Sequence, residues 1–138
     1  MGKDMKKIVW LASYPKSGNT WFRIFLSNLL SEQEEPIDIN NLITNGIASS
    51  RIVFDETAGV SSSDLTKEEI LNLRPEVYKQ LAKNSNQTLY YKVHDAWEHT
   101  PKGIPIFPKN ITKSVIYIIR NPLDVLVSFA YHNKTKSD

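Results

Sequence analysis

The chain has 138 residues, enough for one modest domain and too few for two. Its apolar (41%) and charged (23%) fractions are those of a globular protein, and a net charge of +2 without a basic block argues against nucleic-acid binding. With no cysteine there is no disulfide framework and no thiolate metal site, and a reducing cytoplasm is the expected compartment.

Met1 to Lys7 is basic enough for a signal n-region, but the apolar run after it breaks at Ser13-Tyr14-Pro15-Lys16. That is too early for a signal h-region or a membrane span. Ile8 to Ser13 instead predicts a buried strand. Asn19 to Leu30 predicts a helix, with Trp21, Phe22, Phe25, Leu26, Leu29 and Leu30 forming an apolar stripe. Residues 31–64 show little periodicity and predict loop with short helical pieces. Thr66-Lys67-Glu68-Glu69 is a capping box that opens a helix through Ile70 and Leu71. Pro75 interrupts that pattern and predicts the start of a second helical segment through Val77, Tyr78 and Leu81.

Thr88 to His94 and Ser114 to Arg120 predict two further strands, joined by a proline-containing surface loop. Asn121-Pro122 then starts a last helix, with Asp124 complementing its dipole. The strands are near-continuous apolar runs, which suits a parallel sheet covered on both faces. Strands alternating with helices predict an α/β fold whose ligands bind beyond the C-terminal strand ends. All three strands end in polar residues, so these would share one rim. Three strands make a thin sheet, and Asn133 to Asp138 supplies no closing element, so the chain reads as part of a larger domain.

Three groups of residues bear chemistry on that rim. The turn Ser13-Tyr14-Pro15-Lys16-Ser17-Gly18-Asn19-Thr20-Trp21 joins a strand to a helix start, where unpaired N–H groups and the helix dipole attract a phosphate or sulfate. Compared with G-x-x-x-x-G-K-[ST], Gly18 and Thr20 keep their places, Ser13 replaces the first glycine, and Asn19 replaces the lysine, which has moved forward to Lys16. Taken alone, this is equally a polar turn with Lys16 in solvent. In Lys92-Val93-His94, alternation puts Lys92 and His94 on one face, and an imidazole there can take a proton from an attacking hydroxyl or amine. An isolated histidine is more often bonded to a neighbour, and His99 and His132 are read that way. Arg120 ends a strand, where its fork suits two phosphate oxygens. Asn121, Asp124, Ser128 and His132 form a polar helix stripe opposite Val125, Leu126 and Phe129. Ser128 can donate to an anion near Arg120, or bond its own helix carbonyl.

With these three groups in place, the chain resembles the N-terminal half of sulfotransferases that use 3'-phosphoadenosine 5'-phosphosulfate. Tyr14 to Trp21 resembles the family's 5'-phosphosulfate loop, Arg120-Asn121-Pro122-Leu123-Asp124-Val125-Leu126-Val127-Ser128 its 3'-phosphate motif, and Lys92-Val93-His94 the strand with its catalytic histidine. The resemblance implies a three-layer parallel sheet of the P-loop nucleotide-kinase type, incomplete at the C-terminus, with residues 1–138 the N-terminal part of a single domain. It implies Lys16 at the bridging oxygen and the transferring sulfuryl group, and Ser17, Gly18, Asn19 and Thr20 at the 5'-phosphate. Trp21 would lie near the adenine, Arg120 and Ser128 at the 3'-phosphate, and His94 would be the general base with Lys92 assisting. The donor is a co-substrate, no metal is implied, and the acceptor is a hydroxyl or amine on a small molecule or glycan. Asn19 stands where the family commonly has threonine, Asp95-Ala96 where it often has Leu-Pro, and its C-terminal Arg-Lys-Gly segment is not among these residues. Two alternatives stand beside this reading: a non-catalytic remnant that binds the donor, and a P-loop kinase. The acceptor and the oligomeric state are not legible.

Overall fold

The computed structural model describes residues 7–134; the basic segment before them and the last four residues lie outside the described part. The elements run β1 (Ile8–Ser13), α1 (Asn19–Leu30), β2 (Asn45–Ile47), α2 (Arg51–Ala58), α3 (Lys67–Asn84), β3 (Leu89–Val93), β4 (Thr112–Ile118) and α4 (Pro122–Lys134). The four strands form one sheet in the order β2-β3-β1-β4, and every pairing is parallel. The α/β reading holds, with helices against a parallel sheet.

β1 is the axis of the sheet. Ile8, Val9, Trp10 and Leu11 are all buried, because alternate residues serve opposite faces. On one face Ile8 and Trp10 join Tyr91 and Val93 of β3, Val77 and Tyr78 of α3, and Phe107. The Trp10 ring centroid lies 5.1 Å from that of Tyr78 and 4.9 Å from that of Phe107, and its indole N–H donates to Thr112 Oγ1 at 2.9 Å. The Trp10 ring thus buries its area while its one polar atom keeps a partner. On the other face Val9 and Leu11 pack on Leu26 and Phe22 of α1.

Several sequence expectations change. The capping box is real: the Glu69 N–H donates to Thr66 Oγ1 at 3.2 Å, and the Thr66 N–H to Glu69 Oε2 at 2.8 Å. The helix it opens does not restart at Pro75 but runs through it as α3. Pro75 lacks the N–H that would bond the Leu71 carbonyl, and it is buried. The stretch expected to be loop with short helical pieces does hold a short helix, α2, and also the unexpected strand β2. Ser50 caps α2 at one end (its Oγ accepts from the Val53 N–H at 3.3 Å), and Gly59, at φ 70°, ends it. Finally, β4 is not covered on both faces. Val115 and Tyr117 are exposed, as are Leu126 and Leu123 of α4, where Leu126 had been expected in the packed side; Val125 is buried. Among the described residues no strand pairs with the outer edge of β4.

Trp10→Ala should destabilise the fold by about 3–5 kcal/mol through lost burial and the cavity left behind. Thr66→Ala, which removes one exposed cap, should cost about 1 kcal/mol. Urea denaturation compares the two, and equal losses would contradict the central place given to Trp10.

Candidate active site

Parallel pairing sets Ala12 opposite Val93 and Ser13 opposite Ile118. The strand ends therefore stand level, and the chain leaving each one delivers its polar residues to the same rim. From β1 comes the turn. The Ser17 N–H donates to the Tyr14 carbonyl at 3.2 Å, and Lys16 takes a left-handed backbone at φ 67°. A non-glycine residue there is uncommon and costs energy. Gly18 follows at φ 99°, where an added Cβ would meet nothing within 4 Å. The backbone angle, not space, is what calls for glycine. The first helical bond of α1 runs from the Phe22 N–H to the Gly18 carbonyl, and no side chain caps this end. The N–H groups of Asn19, Thr20 and Trp21 thus lack a helical acceptor, which makes the turn a receptor for an anion.

From β3 come Lys92 and His94. His94 Nδ1 lies 2.6 Å from the Ser13 carbonyl oxygen and 3.4 Å from Ser13 Oγ. A carbonyl can only accept, so Nδ1 bears the proton and Nε2 keeps its lone pair. From β4 comes Arg120, whose Nη1 donates to the Lys16 carbonyl at 3.2 Å. Asn121 Oδ1 then accepts the Leu123 N–H at 3.0 Å and caps α4, which brings Ser128 round two turns later.

These residues enclose a cleft of about 360 Å³ lined by Pro15, Lys16, Gly18, Asn19, Thr20, Lys92, His94, Arg120 and Ser128. Two residues expected in the site lie elsewhere. Trp21 is 70% exposed and stacks on Phe25 at 5.9 Å, away from the cleft lining. Ser17 is buried beneath the turn and borders a separate apolar pocket between β4 and α4. Asn19 lines the cleft, but its amide is engaged: Nδ2 donates to the Leu11 carbonyl at 2.8 Å and to Ser13 Oγ at 3.1 Å. Its side chain braces the turn against β1 and leaves its backbone N–H for a ligand. Of the aromatic residues near β3 and the loop after it, Tyr91 and Phe107 belong to the core, while Trp97 is exposed and stacks on Phe107 at 4.9 Å.

Arg23 escaped the sequence reading. It sits one helical turn after Asn19, and its Nε and Nη2 donate to Thr44 Oγ1 (3.1 Å) and to the Thr44 carbonyl (3.3 Å). The signal was available: a cation at i+4 from Asn19, on the same helix face as that residue of the turn. Burial lowers the pKa of its guanidinium below the ordinary value. Lys92 is also held below the usual lysine range, first by burial and then by the positive charges of Arg23 and Lys16. The ion pairs among the described residues, Arg74–Asp95 and Lys79–Glu76, leave Lys16, Arg23, Lys92 and Arg120 without a carboxylate. Nor do the described residues contain a group of three or more His, Asp or Glu side chains placed to hold a metal ion. The cleft therefore combines unneutralised positive charge, free N–H donors and one imidazole lone pair. That set can hold a multiply charged anion and accept a proton beside it.

The model of the sulfotransferase domain family matches residues 6–138. A flavonol 3-sulfotransferase of Flaveria bidentis is 25% identical over 124 residues, which cover 90% of this chain and 32% of the relative. The chain thus spans about a third of the length of that curated relative. No solved structure matches it significantly.

Lys16→Asn keeps a residue type that tolerates the left-handed backbone while removing the charge. Its folding free energy should stay within about 0.5 kcal/mol of the parent. Calorimetric affinity for inorganic pyrophosphate should fall; unchanged affinity would take Lys16 out of the anion site.

Proposed function

The chain belongs to the sulfotransferase family, and from that premise we propose that its cleft binds 3'-phosphoadenosine 5'-phosphosulfate and directs the sulfuryl group to a hydroxyl or amine acceptor. The observation that supports this reading is the cleft's unpaired cations, gathered around a left-handed lysine and beside the free Nε2 of His94. In this reading the turn amides hold the 5'-phosphate and Lys16 offsets charge at the bridging oxygen. Arg120 and Ser128 hold the 3'-phosphate. The acceptor oxygen or nitrogen forms a new bond to sulfur as the sulfur–bridging oxygen bond breaks. Its proton passes to His94 Nε2, and the leaving phosphate takes up negative charge that the cations stabilise. Lys92 assists as a donor to the transferring group. Residues 1–138 form the N-terminal part of one such domain, and the acceptor is a small molecule or a glycan.

A second reading is favoured by one observation: the chain spans about a third of its curated relative's length, and the β4 and α4 faces are exposed. These residues by themselves then bind the donor product without turning over.

Calorimetry with 3'-phosphoadenosine 5'-phosphate, 5'-AMP and Mg-ATP tests the donor. The bisphosphate should bind most tightly, and Arg120→Ala or Ser128→Ala should reduce its affinity toward that of 5'-AMP. Equal affinity of the parent for 5'-AMP would remove the 3'-phosphate role, and a preference for Mg-ATP would favour a kinase. In a sulfate-transfer assay over phenols, alcohols and amines, His94→Ala should lower turnover by roughly 10²–10⁴-fold while donor binding persists. Retained turnover would refute His94 as the base. Donor binding should also take up protons at alkaline pH. An anion beside Lys92 raises a pKa that burial, Arg23 and Lys16 hold down, so the bound state carries more protons than the free state. Calorimetry in buffers of differing ionisation enthalpy measures this, and proton release would contradict it.

A further inference from the structure

The ladder between β1 and β3 ends at Val93, opposite Ala12, so no strand pairing fixes the backbone of His94. The ring is anchored on Ser13, by its carbonyl and at longer range by its Oγ, a side chain that alternation puts on the α1 side of the sheet. The next residue is anchored on the other side. Alternation turns Val93 toward α3, where it joins the core around Trp10 and Tyr78, and Asp95, in the bend that follows the strand, reaches the same side. There Arg74 Nη1 of α3 meets Asp95 Oδ1 at 2.9 Å, with the side chains only 15% and 21% exposed. Beyond Asp95, residues 96–98 belong to no helix or strand.

This ion pair is expensive. Arg74 Nε, Asp95 Oδ2 and the Tyr78 hydroxyl are all buried without a hydrogen bond. The three sit close enough that both charges act on the Tyr78 hydroxyl, whose pKa is raised chiefly by burial. A half-buried pair with polar atoms left over contributes little stability compared with apolar side chains of similar volume. What it does supply is a fixed geometry. It ties the residue after His94 to a long helix by a directional, charge-assisted bond. Ala96 brings neither a ring nor a polar group, and the next side-chain restraint is Trp97, stacked on Phe107 at 4.9 Å.

We propose that Arg74 is a positioning residue for His94: by gripping Asp95 from α3, it holds the end of β3 so that Nδ1 stays on the Ser13 carbonyl and Nε2 faces the cleft. The proposal rests on the reading of His94 as proton acceptor. Two anchors on opposite faces of the sheet then clamp one peptide segment, and the imidazole between them keeps a single tautomer. Neither Arg74 nor Asp95 lines the anion cleft, so donor binding should be indifferent to their loss.

The test is the ring nitrogen-15 spectrum of His94 in the full chain, at a pH where the imidazole is neutral. The parent should give two well-separated signals, a protonated Nδ1 and a bare Nε2. Arg74→Met leaves the Asp95 carboxylate unpaired and can unfold the chain, so the deciding variant is Arg74→Met/Asp95→Leu, which removes both charges together. In it the two signals should move toward a common value as the tautomers interconvert, while calorimetric affinity for 3'-phosphoadenosine 5'-phosphate is unchanged. Asp95→Asn, which keeps the shape and loses the charge, should move them part of the way. Arg74→Lys should restore the parent pattern more fully than Arg74→Gln. Parent-like separation in both the double variant and Asp95→Asn would overturn the proposal, because the Ser13 carbonyl would then hold the ring unaided. Failure of the underlying reading looks different: His94→Ala would retain turnover while the nitrogen spectra still responded to Arg74.

Discussion

Everything at the rim depends on the parallel register of β1 with its two neighbours. Because Ala12 faces Val93 and Ser13 faces Ile118, the strands stop at one level, and their next residues emerge side by side. A slip of one residue would turn each strand's side chains to the opposite face. Trp10 would leave the α3 core for the α1 side, and Lys92 and His94 would point into the core. The burial of Ile8 to Leu11 on both faces is what makes that slip costly. The apolar strand thus specifies the polar rim, although none of its core residues lines the cleft.

The bonds across the rim repeat the same logic with backbone atoms. His94 uses the Ser13 carbonyl, Arg120 the Lys16 carbonyl, and Asn19 the Leu11 carbonyl. Three side chains from three elements thus lock onto β1 and its turn. The turn itself holds a lysine in a left-handed backbone, a conformation that persists only where its surroundings over-determine it. A turn held in this way has little conformational freedom left to lose on binding, and ordering costs are correspondingly small.

Much of this was legible in the residues because the signals were local. The capping box, the apolar runs of β1 and β3, and the polar residues closing each strand all read directly. What escaped was set by tertiary context. Asn45–Ile47 is a strand because it meets β3, not because three residues announce one. Pro75 reads as a break, yet a helix with a strong cap and a buried face absorbs one missing bond. Asn19 reads as an anion ligand from its place in the loop, but its amide turns back to the strand. Trp21 and Ser17 likewise belong to the motif by spacing and stand outside the cleft by geometry. Arg23 and Arg74 were missed for the opposite reason: each matters through a partner far off in sequence, Thr44 for one and Asp95 for the other.

The bare outer edge of β4 has a consequence of another kind. A strand edge with free N–H and C=O groups is a template for another strand, and proteins usually blunt such edges with charge or proline. β4 contains one charged residue, Lys113, and it displays Val115 and Tyr117 to water. The strand that delivers Arg120 to the rim is therefore also the place where strand-to-strand association between copies of these residues is expected to start at high concentration.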